Sequence, residues 1–403
     1  MDTEESNLEV SYDSKASRGW LFLFLGLFLA VFFIHSIPAT SGHPWILTHW
    51  ALDYSAGFIP RGLVGTLHLA FFGKATPKNI LWAYYFFFFM FGIFSVWWLW
   101  STAKRHNFRP SIVLLSLFFI LFVLPYHLTE NMAGRFDLFT IILFLFSIWF
   151  LHTKHRILAF LPGVLGTAVH ETYLVFFIPT CLIATLEITA EKRRLFDRIL
   201  LPALIVFAPL AVYLAMLSQV HRVMPIEDFT AHVQSNSGFG IAPNMIVQEY
   251  QWSLGDHFNN SLNRAESRYV QFHILFSLVF LSPMLYFFFG FWKKTLTMPS
   301  RGFDRVLGVL KTLATMSPLA LLFIGTDYWR WLMMSFSLSF FFLFYAEKTD
   351  KQVFTSFLDW IENHLQLTVF VVVISALAGP MRDVRSFDFI DKLYDIFKNA
   401  GWL

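Results

Sequence analysis

Of 403 residues, 56% are hydrophobic and 14% are charged, where soluble proteins carry about 25% charged. The net charge of +3 is too small for a nucleic-acid binder, and a single cysteine, Cys181, excludes an internal disulfide or a thiolate metal cluster. Apolar stretches recur along the whole chain, more than a soluble core requires. The composition therefore predicts an all-α, polytopic transmembrane helical bundle.

In chain order, Lys15 and Arg18 precede a first span at 20–37, read as a retained helix with a cytoplasmic N-terminus. The stretch 50–65 follows, with Asp53, Arg61, Pro60 and three glycines. Residues 62–73 after it are apolar but too short to cross, which predicts a juxtamembrane helix beginning after Pro60 and Arg61. A second span, 80–100, returns to Lys104, Arg105 and Arg109. The third, 111–126, leads out to a connection at 127–137, and the fourth, 138–151, comes back to Lys154 and Arg156.

Residues 157–188 are mostly apolar but broken at His170-Glu171. Two short crossings keep Lys192, Arg193, Arg194 and Arg198 inside and place His170-Glu171 at the outer end. Span 199–217 goes out to a polar loop at 218–268, and 269–292 returns. Span 306–324 leads out to Asp327 and Arg330, 331–345 comes back, and a short last span, 367–378, leaves the side of the C-terminus open. The total is about eleven spans in one integral membrane domain, 1–403, with the loop as an insertion. Eighteen of the 30 lysines and arginines then fall inside and eight on outer connections, with four in the C-terminal tail. That bias is the one cytoplasmic flanks show.

Four outer connections on this topology carry ionisable groups beside span ends: His49, Asp53, Arg61 and His68; Glu130, Arg135 and Asp137; His170 and Glu171; Asp327 and Arg330. Charges at membrane depth cost at least ~2.5–3.5 kcal/mol at the bilayer centre, and persist when they pair or serve a ligand. A local ion pair ending a helix explains any one of these connections. Four together point to a shared polar site. Arginine holds phosphate in a fixed fork, a carboxylate can take a proton from a sugar hydroxyl, and histidine exchanges protons near neutral pH. That set suits group transfer from a lipid phosphate or pyrophosphate, where the leaving group needs charge stabilisation. In the 218–268 loop, Glu249, Asp256 and His257 match no metal-binding spacing, so the loop reads as solvated, with a lid over the site as the functional alternative.

With Asp53 in the first outer loop ahead of a juxtamembrane segment, and Asp137 in the next loop within Gly134-Arg135-Phe136-Asp137, the chain resembles the GT-C superfamily of polytopic glycosyltransferases. The outer-face arginines and single large outer loop are also similar to O-antigen polymerases and ligases. It departs from the superfamily in lacking an acidic doublet in the first loop, a Trp-Trp-Asp signature and a large C-terminal soluble domain.

The resemblance implies a membrane glycosyltransferase or glycan polymerase, working at the outer face of a bacterial cytoplasmic membrane. Its partners would be a polyprenyl-phosphate or -pyrophosphate sugar donor, a glycan or lipid acceptor and membrane lipid. Asp53 would be the general base, with Asp137, His170 and Glu171 in the catalytic group. His49, Arg61, Arg135, Asp327 and Arg330 would bind substrate. Such a site allows a divalent metal without requiring one. The alternatives are a flippase for a lipid-linked glycan and, less in keeping with the adjacent His170-Glu171, an acyltransferase.

Overall fold

The computed structural model describes residues 14–36, 43–129, 132–153, 155–189, 196–220, 225–252, 254–298, 302–323, 327–379 and 388–402. Glu130 lies outside them, as do His221 and Arg222 of the 218–268 loop. Every named element within them is a helix, and one isolated parallel β-bridge joins Ala75 to Ser237.

The first half of the chain forms α1 (Ser14–Ser36), α2 (Gly62–Phe72), α3 (Pro77–Arg105), α4 (Pro110–Tyr126), α5 (Asp137–Leu151), α6 (Arg156–Val169), α7 (Tyr173–Thr189) and α8 (Leu201–Val220). Then come α9 (Ile226–Asn236), α10 (Pro243–Tyr250), α11 (Leu254–Ala265), α12 (Arg268–Thr297) and α13 (Gly302–Met316). The chain ends in α14 (Tyr328–Thr349), α15 (Lys351–Asn363), α16 (Leu365–Ala378) and α17 (Asp388–Asn399). The starts follow local chemistry. Pro77, Pro110 and Pro243 open helices where a missing N–H costs nothing, and Thr76 with Asn79 closes a reciprocal cap on α3.

Among the described residues five helical segments are long and apolar enough to cross a membrane: Ser17–His35, Pro77–Arg105, Arg198–Ser218, Arg268–Thr297 and Asp304–Leu322. Helices α15 and α16 meet at 87° and count as a sixth if they form one broken span. The eleven expected spans are therefore not all present as full-length apolar helices. Helices α4 to α7 are apolar but only 10–17 residues long, and α6 and α7 are separated at His170-Glu171 where a break was expected. Helix α2 forms where the juxtamembrane helix was expected.

The tenth expected span corresponds to α14, whose serines and charged ends dilute its hydrophobicity. It is nonetheless the pillar of the bundle, with 16 of its 22 residues buried. A helix buried on all sides belongs in the middle of a bundle. Phe336 and Phe340 stack into α12 and α4 through Phe288 and Phe118. Arg330 and Glu347, near its two ends, are 17 positions apart, about 25 Å at 1.5 Å per residue, close to the thickness of a hydrocarbon core.

Ion pairs gather at those two ends. At one, Glu347 accepts from Arg105 (2.8 and 2.9 Å) and contacts His106, while Arg109 bridges Asp359 and Glu362. All six come from connections expected inside. At the other end lie the groups expected outside. The C-terminal tail, which the sequence left unassigned, belongs with the second set. Asp391 of α17 accepts from the Tyr269 hydroxyl at 2.5 Å and faces His273 at 3.2 Å, both at the start of α12. Tyr394 and Phe397 pack on Phe272 of the same turns.

The 218–268 loop is not simply solvated. Its helices α9 and α10 fold back over the stretch 48–60. Ala75 N donates to Asn236 O and Gly238 N to Ala75 O, Ala242 N donates to the Thr48 hydroxyl, and the Tyr250 hydroxyl donates to Pro60 O.

Candidate functional site

The expected site residues come together in two adjoining clusters. Eight of the nine form one continuous network. Arg330, at the start of α14, grips Asp137, the first residue of α5, with Nε to Oδ2 at 3.0 Å and Nη2 to Oδ1 at 2.7 Å. The same Nη2 reaches His170 Nε2 at 3.1 Å, and Nη1 reaches Asp327 at 3.2 Å. Asp327 also accepts from Arg135 at 3.2 Å. His170 leads on to Glu171 at 3.3 Å, Glu171 accepts from Arg61 at Nε (3.1 Å to each oxygen), and Arg61 Nη1 donates to His49 at 2.6 Å.

Three guanidinium and three carboxylate charges balance here, and the histidines are held neutral. Burial lowers the His170 imidazole below its usual 6.5, and the neighbouring Arg61 and Arg330 charges add to this against the pull of Glu171. Its Nε2 faces the Arg330 guanidinium, and its Nδ1 lies 3.3 Å from the Thr172 amide nitrogen and 3.1 Å from the Thr172 hydroxyl. Burial likewise sends His49 well below 6.5, with the Arg61 charge next in size. Burial alone would push the Glu171 carboxyl up. Arg61 and His170 overcome it and hold the group well below the usual carboxylate range.

The backbone is shaped to present these groups. Arg61 has a left-handed conformation, φ 65°, ψ 0°, just ahead of α2. A non-glycine residue there costs of order 1–2 kcal/mol and is held by its surroundings, here by Glu171 and His49. Gly65, one turn on, lets α2 touch the strand-like segment before it. A Cβ at this position would sit 1.7 Å from Leu52 O. Gly134, at φ 96°, turns the second connection so that its carbonyl accepts from Trp50 Nε1 at 2.7 Å. Phe136 closes against His49 and Trp50.

Asp53 stands apart from the network. Its Oδ1 accepts from the Ser55 hydroxyl at 2.7 Å and from His232 Nε2 at 2.9 Å. His232 also lies 3.1 Å from Ser55 Oγ and 3.3 Å from the Asn236 amide, which in turn donates to Ala51 O. Neither His232 nor Asn236 is assigned a role by the sequence reading above. Their spacing of four places both on one face of α9, a signal that was readable, but which segment that face meets was not. Among the described residues no three His, Cys, Asp or Glu side chains converge as metal ligands.

Fold and site define an all-helical integral membrane protein of several spans, carrying a balanced arginine–carboxylate network and an Asp–His–Ser cluster at one end. The chain matches no family model, no curated relative and no solved structure.

Proposed function

We propose that the protein is a membrane glycosyltransferase or glycan polymerase that takes sugar from a polyprenyl-phosphate or -pyrophosphate donor at the outer face of a cytoplasmic membrane. The observation that carries this reading is the difference between Asp53 and the other three site carboxylates. Asp137, Glu171 and Asp327 are each bound by arginine, which fixes them as anions and removes them from proton transfer. Asp53 is bound by a serine and a histidine and keeps the lone pairs a general base needs. Arg61 and Arg135, at the partly exposed rim with 10% and 15% of their side chains accessible, are the groups a donor phosphate would meet. Arg330 with Asp137 anchors them from below.

In this reading the short helices α4 to α7 and the pillar α14 complete an eleven-span, GT-C-like bundle. Asp137, His170 and Glu171 act by orienting the arginines, and His49 and Asp327 fix the rim. Of the four site carboxylates among the described residues, Asp53 is the one whose partners are a serine and a histidine and not an arginine, and a metal would enter there.

A second reading, a flippase for the same lipid-linked glycan, draws on the helix break at His170-Glu171, because transporters build substrate sites at such breaks. The two part in a null strain. Missing linkages or single repeat units in the surface glycan mean transfer; lipid-linked intermediates trapped inside mean transport. Asp53→Asn in the purified, correctly inserted protein should abolish sugar transfer from a polyprenyl-phosphate donor. Persisting transfer would rule out Asp53 as the base.

A further inference from the structure

The geometry points to the outer loop as a fixed wall of the Asp53 site and to His232 as the residue that orients the Asp53 carboxylate, a role that rests on the transferase reading. His232 arrives from 179 positions away. It could reach Asp53 by chance contact of a mobile loop, or because the loop is built onto the site. Four other contacts decide for the second. They tie the loop to the first outer connection and the segment just before α3, at the C-terminal end of α9 and at both ends of α10. Asn236 reaches Ala51 O, Ala75 and Ser237 form the β-bridge, Ala242 N binds Thr48, and the Tyr250 hydroxyl binds Pro60 O. Ala75 is fully buried and Ser237 is 6% exposed beneath this contact. Phe229 and Tyr250 pack edge to face between α9 and α10 and make the two helices one unit. A loop held at so many places is a wall.

What the wall contributes is a donor. His232 Nε2 and the Ser55 hydroxyl both approach Asp53 Oδ1. One carboxylate oxygen is thereby occupied, and Oδ2 is left as the basic atom facing an acceptor hydroxyl. Both contacts use the same imidazole nitrogen, so this is not a nucleophile relay, in which the acid and the hydroxyl sit on opposite nitrogens. Asp53 takes the proton of the acceptor hydroxyl as the new glycosidic bond forms at the donor's anomeric carbon and the bond to phosphate breaks. His232 holds the carboxylate in the orientation for that transfer and acts as a positioning residue. Asn236, on the same helix face, ties the end of that helix to Ala51 O.

Three measurements test this in the full-length protein. In Ala75→Cys/Ser237→Cys the only other thiol, Cys181, is buried, and mild oxidation in intact membranes should close the new pair nearly completely. A pair that stays open would overturn the wall. Labelling of Asp53 by a water-soluble carbodiimide with an amine, read by peptide mass spectrometry, should rise severalfold in His232→Leu and stay near wild type in His232→Gln, which keeps an N–H at the same reach. Equal labelling in all three would overturn the contact. Transfer should fall roughly 10- to 100-fold in turnover in His232→Leu, the worth of a hydrogen bond to a charged group, with partial rescue in His232→Gln. It should survive in the cross-linked protein. If His232→Leu turns over normally while Asp53→Asn is dead, the inference fails and the transferase stands. If the wild-type protein transfers no sugar, the transferase fails, and cross-linking and labelling still decide the wall.

Discussion

Arg330 holds both carboxylate oxygens of Asp137 from the central helix α14, with the two side chains 5% and 1% exposed. The pair joins the pillar α14 to the first turn of α5 across 193 positions of sequence. Two charges at this depth are tolerated only together. Removing one leaves the other buried without a counter-ion, at about 3–5 kcal/mol. Arg330→Met and Asp137→Asn should each lower the melting temperature in detergent substantially, and the double variant should lose much less than the sum of the two. Strict additivity would show that the pair is not coupled.

Arg61 separates backbone strain from charge. Arg61→Gly relaxes a left-handed residue, worth about 1–2 kcal/mol, but strands Glu171 and His49. The second effect is larger, since hydrogen bonds to a charged group are worth about 1.5–3 kcal/mol each. Arg61→Gly should therefore be destabilised overall. Arg61→Lys, which keeps the charge but loses the fork, should fall between it and wild type. A glycine variant as stable as wild type would show that Glu171 does not depend on Arg61.

At Gly65 the constraint is contact. A methyl group would overlap Leu52 O and force α2 away from the segment that carries His49 and Asp53. Overpacking of this kind costs about 1–3 kcal/mol, more where the obstacle is backbone. Gly65→Ala should lower stability and transfer together, whereas Gly73→Ala, which meets no neighbour but sits at φ 74°, should affect stability alone. Normal transfer in Gly65→Ala would disprove the coupling of α2 to the site.

The pH dependence has a definite sign. His49 and His170 have folded-state values below 6.5, so the unfolded chain binds protons more readily and stability falls as pH drops beneath 6.5. Glu171 is held well below its usual 4.5, so its contribution is present above 4.5 and is lost as pH falls further. Both effects run the same way. The melting temperature in detergent should decline from about pH 7.5 to about pH 5 and continue downward in more acid solution. His49→Asn/His170→Asn should flatten the first part of that decline. A melting temperature that rises on acidification would contradict the neutral imidazoles.

The class of protein was legible because a hydrocarbon solvent leaves a helix as the economical way to satisfy backbone hydrogen bonds, so apolar runs and flanking basic residues translate almost directly into helices and ends. The same logic marked the break at His170-Glu171, the helix at Gly62–Phe72 and the charged connections, because charge beside an apolar run is conspicuous. The count of crossings was less secure. A run such as 138–151 reads as a span from composition, while the helix it forms is too short to cross alone without its neighbours.

Which charges meet was beyond the sequence. Arg330 chose Asp137 over its neighbour Asp327 as its two-pronged partner because α14 faces α5 in the bundle, and local spacing favours the opposite choice. Asp53 and His232 lie at the ends of a 179-residue interval, and only the return of α9 over the first connection brings them within hydrogen-bond reach. Periodicity and charge act along the chain and can be read there. Pairing acts through space, and packing alone decided it.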